Sequence, residues 1–263
     1  ETIWKNRDSC FGFCYRARIY LDWAQETELG NTSIVRSVSA CSINFAPLPM
    51  LLNIHIHNTP LPGQWAIMNV LKDFDAVPST GLYSAGLHPW YLNIETATDA
   101  LQQLTLALQK PNVLAVGECG LDKVCKTDYG LQQEYFRQQV LLANRHSKPL
   151  ILHCVKAFDD ILRILKEERV DVPVIFHGYH KSSVLAQQLV KAGYYLSFGK
   201  HILQPAIATV FESIPLNHVF LETDAADIDI EALYAAAAAI KQIPVMAMEK
   251  AITANAEKLF EKL

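Results

Sequence analysis

Two histidines stand one residue apart in the apolar stretch 51–57, LLNIHIH. In an extended strand alternate side chains share one face, so His55 and His57 point the same way while Ile54 and Ile56 point to the other side. Two neutral imidazoles on one face can each give a nitrogen to a divalent metal ion. The pair alone does not decide between a metal site and a polar pocket.

Four later apolar runs each end in a residue type that binds metals. These residues are Glu118, His153, His177 and Asp224. A charged or imidazole group directly after several apolar residues is costly to bury unless it is paired or bound. Together with the first pair they offer four imidazoles and two carboxylates, a set that suits one or two divalent ions with open positions for water. In strand order Glu118 lies between the first histidine pair and the two later histidines, so we expect its carboxylate to bridge them.

Each of these residues also has an ordinary structural interpretation. Glu118 could form a salt bridge with Lys123, and either later histidine could be a hydrogen-bonded core residue. Asp224 could cap the helix that follows it. Glu222, two residues earlier, could be the functional carboxylate instead.

The elements that would position these residues repeat as a short apolar run followed by a helical pattern, which is typical of parallel βα units. The predicted strands are 51–57, 65–71, 82–87, 113–118, 149–154, 173–177, 194–198 and 218–223. The predicted helices are 95–109, 128–146, 156–168, 181–192, 203–212, 230–240 and 246–261. The segment 65–71 could equally begin a helix, and the connection 58–64 is too short for one. Eight strands in this alternation predict an α/β fold, a TIM (β/α)8 barrel with an abbreviated first unit and its chemistry at the C-terminal strand ends.

The composition of the 263 residues, 51% hydrophobic and 19% charged, is typical of a soluble globular protein with a sizeable core. No apolar run reaches the roughly 20 residues that span a bilayer, and the N-terminus does not resemble a secretory signal. We therefore expect a cytoplasmic protein without a membrane partner. The net charge of −4 provides no general attraction to nucleic acid, so any such contact must be local.

Residues 1–49 differ from the rest, because they hold half of the eight arginines and show no regular strand–helix alternation. We interpret them as an N-terminal extension or an upstream read-in, with Met50 as the candidate functional start. The competing interpretation is a short layer packed across the base of the barrel. The domain proper is predicted to be 50–263.

The sequence from about residue 51 onward resembles the TatD family of metal-dependent hydrolases, within the amidohydrolase-like TIM barrels. The resemblance is carried by NIHIH (53–57), AGLHPW (85–90), AVGECGLD (115–122), LILHCVKA (150–157), IFHG (175–178), LSFG (196–199), LETDA (221–225) and ITANAEKLF (252–260).

The resemblance implies one metal held by His55, His57, Glu118 and Asp224, and a second held by Glu118, His153 and His177. It implies a metal-bound water as nucleophile, with Asp224 and Glu118 as catalytic carboxylates. The ions could be zinc, manganese, magnesium or iron. The usual chemistry of the family is phosphodiester hydrolysis in DNA, and some relatives are aminoacyl-tRNA deacylases.

Three departures from the family pattern affect the site, the first through weaker support for the metal cluster and the other two through the substrate. Asn53 stands where the family commonly has aspartate, the loop after Asp224 is acidic, and the strand-end loops contain no arginine. Contacts to substrate would then rest on lysine and histidine, which lack the bidentate fork of arginine. The candidate substrate-binding residues are His88, Lys123, Lys156 and His180.

The leading prediction is a TatD-like deoxyribonuclease with a nucleic-acid substrate and no obligate protein partner. An amide, ester or lactone hydrolase, or an aminoacyl-tRNA deacylase, would use the same site. A non-catalytic metal-binding descendant is a third alternative, which loss of turnover in Asp224→Ala would exclude.

Overall fold

The computed structural model describes residues 51–60 and 64–260. The N-terminal extension, with the candidate start at Met50, lies outside the described residues. No single described helix is long and apolar enough to span a membrane; the last two helices pass such a test only as a pair that is bent by 105°.

Eight strands lie side by side in the order in which they occur in the chain, and every neighbouring pair is parallel. They are β1 Leu52–Ile56, β2 Trp65–Val70, β3 Leu82–Ala85, β4 Val113–Asp122, β5 Leu150–Val155, β6 Val174–Phe176, β7 Tyr195–Phe198 and β8 Val219–Leu221. All eight predicted strands are confirmed, including the segment that could have begun a helix. That segment forms β2, because its backbone pairs with β1 on one side and β3 on the other.

Seven α-helices follow the strands from β3 onward among the described residues. They are α1 Ala97–Ala107, α2 Tyr129–His146, α3 Phe158–Glu167, α4 Ser183–Lys191, α5 Pro205–Ser213, α6 Ile230–Ile240 and α7 Val245–Leu259. Single 3-10 turns occur at Phe74–Ala76, Pro89–Tyr91, Lys200–Leu203 and Leu216–His218. Strands β1, β4, β6, β7 and β8 are buried at every residue, as expected for parallel strands covered on both faces.

The end of β1 is joined to the residues after β8, which brings the first and last strands together. Ile56 and Asp224 form a parallel bridge, and the amide of Asp224 donates to the carbonyl of His55 at 3.0 Å. The amide of His57 donates to the carbonyl of Asp224 at 3.2 Å. The sheet is therefore a nearly closed barrel, and this contact places the histidine pair beside Asp224.

Strand β4 extends four residues beyond the predicted end at Glu118 and approaches β5 very closely. Gly120 has a φ of +138°, and a Cβ there would collide with the carbonyl oxygen of His153. A Cβ on Gly117 would come within 2.5 Å of the carbonyl oxygen of Ile151. The two glycines therefore let β4 continue past Glu118 and bring Asp122 alongside the end of β5.

Candidate metal centre

The carboxylate of Glu118, on β4, lies at the centre of the site and is only 3% exposed. Its Oε2 faces the first strand, 3.4 Å from His55 Nε2 and 3.3 Å from His57 Nε2. Its Oε1 faces the other way, 2.7 Å from His153 Nδ1 and 2.8 Å from His177 Nε2. One carboxylate thus separates two groups of imidazoles, as a bridging ligand would.

The first ligand group consists of His55, His57 and Asp224 and joins β1 to the end of β8. Asp224 Oδ1 is 3.2 Å from His57 Nε2 and 3.8 Å from His55 Nε2. The side chains of His57 and Asp224 are 27% and 45% exposed, so this group opens to solvent. Asp224 also has a left-handed φ of 53°, a conformation that is unfavourable for a non-glycine residue and is often found at functional sites.

The chemistry of His55 shows that a metal ion fits this group. Its imidazole is completely buried, and within the part of the chain that the structure describes neither ring nitrogen has a hydrogen-bond partner. A buried polar atom without a partner costs about 1–3 kcal/mol, so such atoms are rare in native proteins. A cation bound to its Nε2, facing Glu118 and Asp224, would satisfy this imidazole. The groups His55–His177–Asp224 and His55–His57–Glu118 both have ligand atoms within 4.8 Å of one another.

The second ligand group consists of His153 and His177, at the ends of β5 and β6, and both are nearly buried. Each has a carboxylate on its other nitrogen. His153 Nε2 lies 3.3 Å from Asp122 Oδ2, and His177 Nδ1 lies 3.3 Å from Glu222 Oε1. Such partners fix the orientation of an imidazole and raise its basicity toward a metal.

The proton affinities of the site follow from this crowding of opposite charges. Hydrogen bonds that the His57 imidazole donates to Asp224 and Glu118 raise the pKa of His57 to about 9. Burial opposes the charge of Glu118, but His177 and the other imidazoles outweigh it and hold the pKa of this carboxyl well below its usual range. Burial alone would lower the pKa of His177. The negative charges of Glu118 and Glu222 outweigh the effect of burial and raise this pKa well above its usual value. Without metal the site therefore holds protons where cations would bind.

The sequence of residues 54–261 matches the family described as TatD related DNase. This match covers more than half of the chain. The chain belongs to the TatD-related DNase family.

Two bacterial relatives, each described as an uncharacterized metal-dependent hydrolase, are similar in sequence. YjjV of Escherichia coli K12 is 34% identical over 156 residues, and YabD of Bacillus subtilis 168 is 32% identical over 165 residues. The alignments cover 57% and 60% of this chain and 60% and 62% of those proteins, so the match spans about three-fifths of the relatives.

Solved structures of the family share the barrel. The crystal structure of the E. coli TatD homologue YjjV superposes with a TM-score of 0.71 at 23% identity, covering 81% of this chain and 98% of that one. A TatD family hydrolase from Entamoeba histolytica has a TM-score of 0.68 at 17% identity, with 80% and 98% covered. At these identities the likeness establishes the fold.

The fold of this TatD-related chain brings its six predicted metal ligands together. Two of the ordinary structural interpretations, a Glu118–Lys123 salt bridge and a helix cap at Asp224, are wrong. Lys123 forms an ion pair with Asp160 at 2.6 Å and not with Glu118. Asp224 does not cap α6, because Asp229 occupies the N-cap position.

His88 lies in contact with the centre but has no free nitrogen for a metal. Its Nδ1 accepts the backbone N–H of Trp90 at 3.1 Å, so the neutral ring carries its proton on Nε2, which lies 3.1 Å from Glu118 Oε1. Burial lowers the pKa of His88, which favours this neutral form. Although His88, Glu118 and His153 form a third close group of ligand-type atoms, His88 is a hydrogen-bond donor in it.

The other predicted substrate-binding residues are exposed around the mouth. Lys156 directly follows β5 with a left-handed φ of 54°. His180 donates from Nδ1 to the carbonyl of Gly178 at 2.6 Å, and Lys181 Nζ lies 2.9 Å from its Nε2. The charge of Lys123 is partly neutralised by its pairing with Asp160, whose pKa is lowered to about 2 chiefly by that lysine.

Sequence reasoning missed the residue of β2 that holds Glu118. Asn69 Oδ1 accepts the backbone N–H of Glu118 at 2.7 Å, and its Nδ2 lies 3.3 Å from Glu118 Oε2. Ser84 of β3 donates to the same Asn69 oxygen at 3.2 Å. The side-chain amide of Asn69 lies near the C-terminal end of a predicted strand, and this position could have indicated that it belongs to the site.

Two buried glutamines of α2 were also missed. Gln139 accepts the amide of Leu87 at 2.6 Å and donates to its carbonyl at 3.1 Å, which clamps the backbone just before His88. Gln132 makes the same pair of contacts with Asp122, at 2.8 and 3.1 Å. The spacing of seven residues puts both on one face of the helix and was the detectable pattern.

Proposed function

We propose that this protein is a divalent-metal-dependent hydrolase that cleaves phosphodiester bonds in DNA. The observation that carries the proposal is the placement of Glu118, with one oxygen toward His55 and His57 and the other toward His153 and His177. Divalent ions held by these residues and Asp224 would lower the pKa of a bound water and stabilise negative charge on a phosphoryl oxygen.

Asp224 is the residue best suited to accept the proton of the attacking water. Burial acts to raise its pKa, but His57, His177 and His55 outweigh that effect and lower it, so the group is ionised at neutral pH. Its side chain is 45% exposed at the mouth, where water has access. A general base needs both properties.

His88 can supply a hydrogen bond to the substrate. Its Nε2–H is directed at Glu118 Oε1, and its tautomer is set by the backbone of Trp90. A substrate oxygen bound beside Glu118 would share this donor. Because the ring is nearly buried and neutral, it can orient the substrate without adding charge.

Local positive charge around the mouth supports an anionic substrate. The charge comes from Lys156, Lys181 and Lys200, which follow strands β5 to β7, and the imidazoles of His180 and His201 lie after β6 and β7. The His180 and His201 rings lie 4.7 Å apart. Lys123 contributes less, because it is paired with Asp160. A polyanion such as DNA would meet these side chains beside the second ligand group.

Two observations favour the alternative of an ester, amide or lactone hydrolase, or an aminoacyl-tRNA deacylase. The loop after Asp224 presents the exposed carboxylates of Asp227 and Asp229, which would repel a polyanion. No arginine follows a strand at the mouth within the described residues, so no bidentate phosphate contact is available there.

A direct comparison of substrates tests the proposal. The metal-free protein would be supplied with Mg²⁺, Mn²⁺ or Zn²⁺ and assayed on single-stranded DNA, aminoacyl-tRNA, and panels of esters, amides and lactones. We expect cleavage of DNA that is abolished in Asp224→Ala, while the exposed Asp159→Ala retains it. Turnover of an ester, amide or lactone with no DNA cleavage under any metal would refute the nuclease and support the alternative.

A further inference from the structure

A cavity of about 510 Å³ lies beside the metal centre and is not used by the hydrolysis described above. It is formed between the loop after β2 and the segment from β3 to α1. Its walls include the apolar side chains of Phe74, Leu87, Leu92 and Ala97. This volume falls in the range of about 300–1,000 Å³ that is usual for small-molecule sites.

His88 connects this cavity to the reaction centre. His88, which donates to Glu118 at 3.1 Å, is also one of the residues that line the cavity. Tyr91, at the rim, is 64% exposed, and its ring centroid lies 5.5 Å from that of His88. One residue, His88, therefore both lines the cavity and contacts Glu118.

The charges that line the cavity do not favour a phosphate as its occupant. Lys72 and Asp73 contribute one charge of each sign, and no other charged side chain of the described residues lines it. A neutral group fits this balance, whereas the phosphates of a nucleic acid would meet the lysines on the other side of the mouth.

The polar groups of the cavity favour a ring with a hydrogen-bonding edge over an acyl chain. Asn93, Thr96 and Gln103 line the cavity and are exposed, whereas the apolar lining residues Phe74, Leu87 and Ala97 are buried and form what we call its floor with the half-buried Leu92. The Oδ1 of Asn93 accepts the amide of Glu95, which leaves its Nδ2 for a ligand. An aliphatic chain would bury these groups without partners, whereas the edge of a heteroaromatic ring would pair with them.

We propose that this cavity binds the nucleobase adjacent to the bond that is cleaved. The base would lie on the apolar floor between Phe74 and Leu92, with Tyr91 at its open side and its polar edge toward Asn93 and Gln103. This inference rests on the proposed hydrolysis of DNA and adds a specificity site to it.

The first test removes the base from the substrate. Single-stranded oligonucleotides would carry an abasic tetrahydrofuran residue at each nucleotide flanking the cleaved bond in turn. At one of the two positions we expect kcat/KM to fall about 10-fold, as is typical for the loss of one base–aromatic stack. Equal kcat/KM for the abasic and natural oligonucleotides at both positions would overturn the proposal.

The second test fills the cavity. Ala100 is half-buried on α1 and lines the cavity, so Ala100→Leu should lower kcat/KM for the natural oligonucleotide about 10-fold and leave that for the abasic one unchanged. Ala236→Leu is the matched control, because Ala236 is half-buried on α6 and is absent from the cavity wall. Equal losses on both oligonucleotides in Ala100→Leu would contradict base binding.

A binding measurement separates this proposal from the proposed nuclease. Deoxyadenosine, which has no phosphate, would be titrated by saturation-transfer NMR. We expect it to bind the wild type and Ala236→Leu, and to bind Ala100→Leu at least fivefold more weakly. Gln103→Ala should weaken binding about threefold, and its exposed neighbour Gln102→Ala should not. Absence of DNA cleavage with this binding intact would reject only the nuclease. Failure of deoxyadenosine to bind, or displacement of the binding by hexanamide at equal concentration, would reject the base site.

Discussion

The two ligand groups that share Glu118 are supported differently. In the second group, His153 and His177 each have a carboxylate on the nitrogen opposite Glu118. In the first group, neither ring nitrogen of His55 has a hydrogen-bond partner among the described residues.

Behind that first group lies an uncharged pair. Asn53 Nδ2 donates to Thr223 Oγ1 at 2.7 Å, and the amide of Thr223 donates to Asn53 Oδ1 at 3.1 Å. Both imidazoles of the second group are thus held on both ring nitrogens by protein carboxylates, whereas His55 of the first group is not. We therefore expect the second group to bind metal more tightly and to exchange it more slowly.

The largest effect should come from removing the residue that both groups share. Glu118→Gln keeps the shape of the side chain but removes the charge that faces four imidazoles, so metal binding by both groups should be lost. Activity should fall by more than about 1,000-fold, since the several kcal/mol that bound ions provide would be lost. Elemental analysis and hydrolysis assays would measure this, with the exposed Glu134→Gln as control. Retention of two equivalents of metal would show that Glu118 is not a bridge.

A substitution confined to the first ligand group should show whether the two groups bind metal independently. Asp224→Asn removes the proposed general base and one predicted metal ligand, so activity should fall at least about 100-fold. The second group should keep its ion, and the metal content should drop by one equivalent. Isothermal titration of the metal-free protein would count the sites. Loss of all metal from this variant would mean that the two groups bind as a single unit.

If a carboxylate contact that orients the second ligand group is removed, this group should bind metal as weakly as we expect the first group to do. Asp122→Asn weakens the acceptor for His153 and also the hydrogen bond from Trp90 Nε1, which is 2.6 Å long. Loss of such a partner typically costs about 10–100-fold in metal affinity or activity. The measurement is the rate of metal release to a chelator, and Asp159→Asn is the exposed control. An unchanged release rate would show that the carboxylate does not orient His153.

Protons should compete with metal at the first group. The metal-free His57 has a pKa of about 9, and a metal needs its neutral form, so apparent affinity should fall about tenfold for each pH unit below 9. In the metal-free protein the raised pKa stabilises the fold fully below pH 6.5, and this contribution is lost as pH rises through about 9. The Tm of the metal-free protein should therefore decline over the interval in which metal affinity increases. Titration calorimetry in buffers of different ionisation enthalpy would detect the released proton, and a pH-independent affinity would contradict the prediction.

The smallest effect should come from giving the first group a charged support. Asn53→Asp would place a carboxylate two residues before His55 on the same face of β1, where Thr223 can still donate to it. We expect a roughly threefold to tenfold gain in metal affinity at the first group, because such carboxylates tune metal ligands by similar factors. Asn53→Ala, which cannot accept from Thr223, should give no gain and should lower the Tm. Equal affinities in the two variants would show that charge at this position is irrelevant.

The sequence alone predicted the eight strands and the six ligand-type residues at their ends. Both follow from consecutive residues, because alternation and apolar runs are local patterns that the backbone converts directly into strands. The end of β4 was predicted too early, since its continuation to Asp122 depends on how closely Gly120 can approach β5.

The tertiary structure decided which residues meet across strands that are distant in the chain. Asn69 contacts Glu118 across 49 positions, and Asn53 contacts Thr223 across 170, so neither pair leaves a local pattern. Whether Lys123 would pair with Glu118 or with Asp160 depended on the same kind of packing. Local periodicity determines which elements form. Register and barrel closure determine which side chains come within a hydrogen bond of one another, and these are properties of the whole sheet.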